Sequence, residues 1–314
     1  MKKISLILSF SLATLYCVVF ITQCYRSPVN PNEKWIKVAG GMNFPEGPTW
    51  DGRSTLYVSN CYGDWITRIQ NDRADTFLVR SGKSPDFGKT NGLLFSNETL
   101  FACDFGINAI LKIKMDGSIK ILTSGTDNQP FHRPNDLAFG PDGFLYITDP
   151  FHYDRNNPDG VVYRIDPVTG NIKPVIKNLA FPNGLAFSLD GKYLYICESA
   201  FQRVLRFPFS KTGAIDKPEL FIELPGGDPD GIAFDKKGNL YIAHFGGSSV
   251  YIVSPKGKVL QTIPTPGRKP GNIEFGGKDL KTLYLTEVET NAVYQCNVRI
   301  PGQPLFHYHH RITN

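Results

Sequence analysis

Nothing in this 314-residue chain marks it as a nucleic-acid binder. It has no basic run and no basic stripe interleaved with aromatics, and its net charge is a mild +5. Nucleic acid is therefore not an expected partner. No stretch sustains a helical hydrophobic period with caps, so almost no helix is expected. Cysteine is scarce: there are six, with no Cys-x-x-Cys pair and no zinc-type spacing. Cys17 and Cys24 lie near the N-terminus. Cys61, Cys103, Cys197 and Cys296 lie in or beside apolar runs and read as buried thiols, a Cys61–Cys103 bridge being the alternative. Only one apolar run is long, Ile4 to Ile21, and it follows Lys2 and Lys3.

A positive start followed by an apolar stretch reads as an export signal. The run is also close to the shortest helix that spans a bilayer. No Ala-x-Ala cleavage site follows it, and Ile21-Thr22-Gln23-Cys24 is like a bacterial lipoprotein box apart from Gln23. Residues 1–24 thus read as a leader that is cleaved, lipidated or kept as an anchor. The protein is expected to be exported (periplasmic, lipid-anchored in the cell envelope, or secreted) and to meet a membrane only through that leader or its lipid. Residues 25–34 read as a polar linker.

With 41% hydrophobic and 20% charged residues, the rest suits a soluble globular protein with ample core. Thirty Gly and 23 Pro fit a fold rich in turns. One phrase recurs six times: a polar pair, an apolar run, a turn, and a second apolar run. Its clearest copies are Pro182-Asn183-Gly184-Leu185-Ala186-Phe187 and Pro134-Asn135-Asp136-Leu137-Ala138-Phe139, followed by Tyr193–Ile196 and Phe144–Ile147. The second residues of the pairs stand at 47, 92, 136, 184, 231 and 272, intervals of 45, 44, 48, 47 and 41. A period of ~40–50 residues carrying several short strands is the signature of a β-propeller. The expected fold is all-β: six four-stranded antiparallel blades over residues 35–300, with the strand at Trp35–Ala39 completing the last blade and closing the ring. The tail 301–314, with His307, His309 and His310, reads as a surface tail or an extra edge strand.

In a propeller the first strand of each blade lines the channel, which brings the polar pairs to one mouth. The first members, in order, are Glu46, Asn91, Asn135, Asn183, Asp230 and Gly271. The column offers oxygen donors and no Lys or Arg. Two carboxylates with carboxamides suit a hard divalent cation, Ca²⁺ first, which takes ~6–8 oxygens. The absence of His and Cys argues against a dedicated zinc or copper site. Asn-Gly and Asp-Gly also occur simply as turn formers, which accounts for the second residue of each pair but not for Glu46.

Glu46-Gly47-Pro48, Arg133-x-Asn135-Asp136, Pro182-Asn183-Gly184 and Pro229-Asp230-Gly231, in that order, resemble the senescence-marker-protein/gluconolactonase family of six-bladed propellers. The resemblance covers nearly all of the chain after the linker. It implies hydrolysis of lactones or related esters with a bound divalent cation. It also implies that Glu46, Asn183 and Asp230 are metal ligands, that Asn135 binds either metal or substrate, and that Arg133 orients substrate. Asn91 gains no role from it.

A carboxylate at a metal edge can orient or deprotonate water, which makes Asp230 the first candidate for the base. Asp104, Asp149, His152, Glu198, His244 and Glu287 lie on loops expected at the same face and are alternatives. Phe151, Phe201 and Phe245 could wall a ring substrate, and the long connection from Asp149 to Gly160 is where specificity is expected. The enzyme is expected to act as a monomer on a small lactone or ester. The competing reading is a non-catalytic propeller that binds a ligand or a partner protein around a structural metal.

Overall fold

The structure is a computed structural model that describes residues 27–71, 73–126 and 129–307; the leader, His309 and His310 lie outside the described residues. Six four-stranded antiparallel sheets follow one another in the chain, together with a small two-stranded ribbon at Gly125–Thr126 and Gln129–Pro130. The innermost strands are Pro45–Trp50, Thr90–Ser96, Leu137–Phe139, Pro182–Phe187, Asp228–Phe234 and Pro270–Gly276. Each packs against the innermost strand of the next blade, and the sixth returns to the first. This is the six-bladed propeller expected from the repeat. Apart from a three-residue 3₁₀ turn at Ser199–Phe201, no helix occurs among the described residues.

The sequence pattern explains the layering. The second strands, such as Thr55–Asn60 and Tyr193–Glu198, are buried almost end to end because a neighbouring blade covers each face. Side chains pointing either way must then be apolar, which gives runs such as Leu194-Tyr195-Ile196-Cys197 rather than alternation. The outermost strands, such as Arg73–Val79 and Glu219–Glu223, reach solvent and mix polar with apolar residues. Between blades the contacts are apolar clusters. One example is Tyr146, Leu185, Leu194, Ile196 and Phe207 between the third and fourth, each buried aliphatic side chain contributing ~1.5–3 kcal/mol.

Ile36–Ala39 pairs antiparallel with Ala292–Asn297, Ile36 opposite Gln295. The first strand in the chain thus forms the outer edge of the sixth blade, which closes the ring as expected. Before it, Val29 is buried in the core between the last two blades, and its backbone exchanges hydrogen bonds with the Gln261 amide at 3.1 and 3.2 Å. The C-terminal segment runs as a strap across the far end of the channel. Gly302 bridges Asp235, Gln303 Nε2 donates to Phe187 O at 3.0 Å, Phe306 packs on the third and fourth blades, and His307 Nδ1 lies 3.0 Å from Ser96 Oγ. Gln303, Leu305 and Phe306 line the far end of the channel, so the opposite end is the mouth. The four described cysteines are free and buried, so the Cys61–Cys103 bridge does not form.

Candidate active site at the mouth of the channel

The innermost strands are irregular where the polar pairs lie. Pairing with the second strand is interrupted between Glu46 and Thr49, Thr90 and Leu93, Pro182 and Leu185, Pro229 and Ile232, and Pro270 and Ile273. A bulge of this kind re-aims side chains near a sheet end. In the third blade the strand begins only at Leu137, after the pair.

In four of the six pairs the second residue is glycine, for a reason the turn rules miss. A Cβ on Gly184 would stand 2.3 Å from Asp230 O, and one on Gly47 would stand 2.2 Å from Asn91 O. On Gly231 it would stand 2.6 Å from Asn272 Cα. These glycines let neighbouring blades touch, and so set the spacing of the polar side chains around the ring. Gly271 does the same for a side chain: a Cβ there would lie 2.1 Å from Glu46 Oε1.

Glu46, Asn91, Arg133, Asn135, Asn183 and Asp230 line one open cavity of about 190 Å³. The sequence-predicted residues are therefore brought together. Glu46, Asn135, Asn183 and Asp230 are each at most 9% exposed. Two hydroxyls from neighbouring blades pin this backbone: Thr148 Oγ1, in a second strand, donates to Asn183 O, and Ser199 Oγ, in the 3₁₀ turn, donates to Pro229 O, both at 2.8 Å. Asn135 N donates to Thr148 O at 2.9 Å.

The electrostatics are those of crowded carboxylates. Burial, then the nearby charge of Asp136, pushes Glu46 up to about 8. Asp230 is pushed well above the usual range, first by burial and then by Glu46 and Asp136, with the Asn183 side chain hydrogen-bonded to it in opposition. Asp136 itself is raised to about 6 by burial. It occupies the position of the close-approach glycines, and Asn272 Nδ2 comes within 3.5 Å of it. Its contribution to the site was not read from the sequence, where it looked like one more turn residue.

None of these three carboxylates takes part in an ion pair among the described residues. Nor does any cluster of three or more His, Cys, Asp and Glu side chains suited to a metal occur among them. A cation here must be held by carboxylates together with carboxamides. The donors present fit a hard divalent ion: Glu46 and Asp230 supply charge, and Asn183 and Asn135 supply neutral oxygens in the same cavity.

The alternative bases have another purpose. At or one residue before its end, each second strand carries a buried polar residue that clips the loop leading into its blade. Asp104 accepts from Gly88 N, Lys89 N, Gly106 N and Ile107 N at 2.6–3.1 Å. Asp149 accepts from His132 N and Arg133 N, Glu198 from Ala180 N and Arg203 Nε, and Glu287 from Lys269 N and Thr290 N. In the fifth blade His244 takes this place, its Nε2 donating to Leu224 O at 2.9 Å. His152 is exposed and paired with Asp159 at 2.6 Å. None of the six lines the cavity.

Phe245 lines the cavity as expected, but Phe151 and Phe201 do not. Phe151 stacks on His132, and Phe201 lies beneath Arg203. The walls are instead Phe44, Tyr62, Phe105, Tyr153 and Phe181 with Phe245. The signal that could have found two of them is their place in the repeat, since Phe44 and Phe181 each stand two residues before a polar-pair leader.

The SMP-30/Gluconolactonase/LRE-like region matches residues 44–289. The chain is 28% identical over 307 residues to lactonase drp35 of Staphylococcus saprophyticus, covering 90% of this chain and 91% of that protein. It is 34% identical over 171 residues to the 6-deoxy-6-sulfogluconolactonase of Pseudomonas putida, an alignment spanning 49% of this chain and 58% of that protein. Among solved structures, a gluconolactonase from Xanthomonas campestris superposes with a TM-score of 0.75 at 25% identity, covering 86% of this chain and 91% of that one.

Proposed function

The chain belongs to the SMP-30/gluconolactonase/LRE-like family, and from that premise we propose that it is a lactone hydrolase whose active site is the cavity around Glu46, Asn183 and Asp230. Its relatives support the reaction, since lactonase drp35 aligns along nearly its whole length. The observation that carries the site is local. Two buried carboxylates that form no ion pair among the described residues converge with three carboxamides and an arginine in one open cavity.

Glu46, Asn183 and Asp230 would hold a divalent cation, Ca²⁺ first, with Asn135 either as a further oxygen donor or as the carboxamide that meets the substrate. When bound, such an ion supplies Lewis acidity towards an ester carbonyl. Asp230 orients the attacking water and accepts its proton at a carboxylate oxygen. Arg133 sets the substrate's orientation. Its guanidinium lies 5.5 Å from the centre of the Phe105 ring, and the clip from its backbone to Asp149 holds the loop that carries it. The hydroxyls of Thr148 and Ser199 fix the ligand-bearing backbone, so little reorganisation accompanies reaction. Export directed by residues 1–24 and a monomeric state belong to the same proposal.

Asp230→Asn tests it. The isosteric carboxamide keeps an oxygen donor but not a proton acceptor. The expected result is a folded protein that still takes up the cation, with weaker affinity, and loses at least ~100-fold in kcat on a lactone substrate. Retained turnover would remove Asp230 from its role. A wild-type protein that binds lactones without hydrolysing any of them would favour the non-catalytic propeller.

A further inference from the structure

The rim of the cavity is aromatic. Phe44, Tyr62, Phe105, Tyr153, Phe181 and Phe245, contributed by five blades, stand around the mouth. They touch one another: Phe44 meets Tyr62 edge-on at 5.0 Å, Tyr62 meets Phe105 at 6.3 Å, and Tyr153 meets Phe181 at 5.4 Å. Tyr62 and Tyr153 are about half exposed, at 48% and 54%. Exposed apolar side chains gathered at a cleft mark a binding surface.

Two of these residues are held against their backbone preference. Phe44 and Phe181 both have φ of +58°, a region that bulky L-residues rarely enter. They stand two residues before Glu46 and Asn183, at equivalent places in the first and fourth blades, which face each other across a six-bladed ring. The surrounding hydrogen bonds hold the strain: Cys61 N donates to Phe44 O at 3.0 Å and Ser199 N to Phe181 O at 3.1 Å. Glycine or asparagine would fit this backbone more easily. Strain kept at a functional cleft points to the side chain it presents.

Two of the polar groups beside the rim are already bonded. Ser199 Oγ is bonded to Pro229 O, and Asp228 Oδ1 accepts from Tyr153 Oη at 2.9 Å. The Arg133 guanidinium rests over Phe105. Sugar hydroxyls held against this aromatic rim would lose water without gaining a partner there, whereas an apolar group is buried favourably.

Taking the cavity as the hydrolase site, on which this step rests, we infer that the substrate is a lactone or ester whose non-reacting part is apolar, clamped between Phe44 and Phe181, rather than a polyhydroxylated sugar lactone. The test compares kcat/KM for a benzo-fused six-membered lactone and for glucono-1,5-lactone, using the cation-loaded protein and its Phe44→Asn and Phe181→Asn variants. Asparagine tolerates the left-handed backbone, so the variants should fold, with melting temperature as the check. The expected result is a preference of at least ~10-fold for the benzo-fused lactone, reduced at least ~10-fold in either variant, as for removal of an apolar pocket contact. Preference for glucono-1,5-lactone, or an unchanged ratio in a folded variant, overturns the inference and leaves the hydrolase reading standing. Turnover of neither lactone by cation-loaded wild type overturns both.

Discussion

Replacing Gly184 with alanine should force the fourth and fifth blades apart where the candidate ligands meet. Built on the present backbone, the new Cβ lies 2.3 Å from Asp230 O, 2.9 Å from Gly231 Cα and 3.1 Å from Ile232 N. All three are backbone atoms, so no rotamer change relieves them. Normal contact is ~3.5 Å or more, which requires a displacement of about 1 Å. Overpacking of this kind costs ~1–3 kcal/mol, against which alanine regains ~0.5–1 kcal/mol by restricting the unfolded chain. At ~2–4 °C per kcal/mol, the melting temperature should fall by several degrees. The larger effect should be on the site, because the displacement acts between Asn183 and Asp230, and a misplacement of ~1 Å can cost ~100-fold. Gly52→Ala is the control. Gly52 has φ of +79° with nothing within 4 Å of its would-be Cβ, so alanine there costs ~1–2 kcal/mol in backbone strain alone. Calorimetry of unfolding and of Ca²⁺ titration should show both variants destabilised, but only Gly184→Ala weakened for Ca²⁺, by at least ~10-fold. Wild-type Ca²⁺ affinity in Gly184→Ala would refute the idea that glycine sets the ligand spacing.

Asp104→Ala orphans four backbone N–H groups that its carboxylate now accepts. It should cost ~3 kcal/mol or more in denaturant unfolding, while the folded fraction keeps its turnover per molecule; a selective loss of kcat would instead put Asp104 in the chemistry. Glu274, beside the strapped end of the channel, is lifted by burial, and further by the charge of Asp136, from the ordinary 4.5 up to about 8. Between those values the folded protein holds a proton that the unfolded chain has released, so stability falls as pH rises through that window and levels off above it. Glu274→Gln should remove part of that fall when unfolding is followed from pH 5 to 9, and parallel profiles for variant and wild type would contradict the assignment.

The fold was legible because a propeller repeats its own pattern. Six polar pairs at regular spacing gave the blade count, and the unpartnered strand at Trp35–Ala39 gave the closure. The convergence of the polar column at one mouth was legible for the same reason: position in the repeat fixes position in the ring. What the repeat does not encode was harder to read. Asp104, Asp149, Glu198, His244 and Glu287 looked like rim chemistry because they lie at strand ends on the correct face, yet they turn sideways to hold loop backbone, the carboxylates by N–H groups and His244 by a carbonyl, a direction sequence spacing does not reveal. Asp136 passed as a turn former because its neighbours in the column are glycines. The aromatic rim was misplaced onto Phe151 and Phe201 because loop residues were judged by distance along the chain. The left-handed backbone that aims Phe44 and Phe181 is visible only in three dimensions. The strap from Gly302 to His307 has no counterpart in the repeat at all, and its role appears only once the channel it closes is formed.

The central claim is that Glu46, Asn183 and Asp230 hold a divalent cation needed for lactone hydrolysis. The most direct test is to measure the metal content of the purified protein and its lactone turnover before and after chelation, with readdition of Ca²⁺. The account predicts one divalent ion per chain, turnover lost on chelation and restored by the ion, and neither behaviour in a Glu46→Gln/Asp230→Asn double variant. Full lactone turnover by metal-free protein would contradict it.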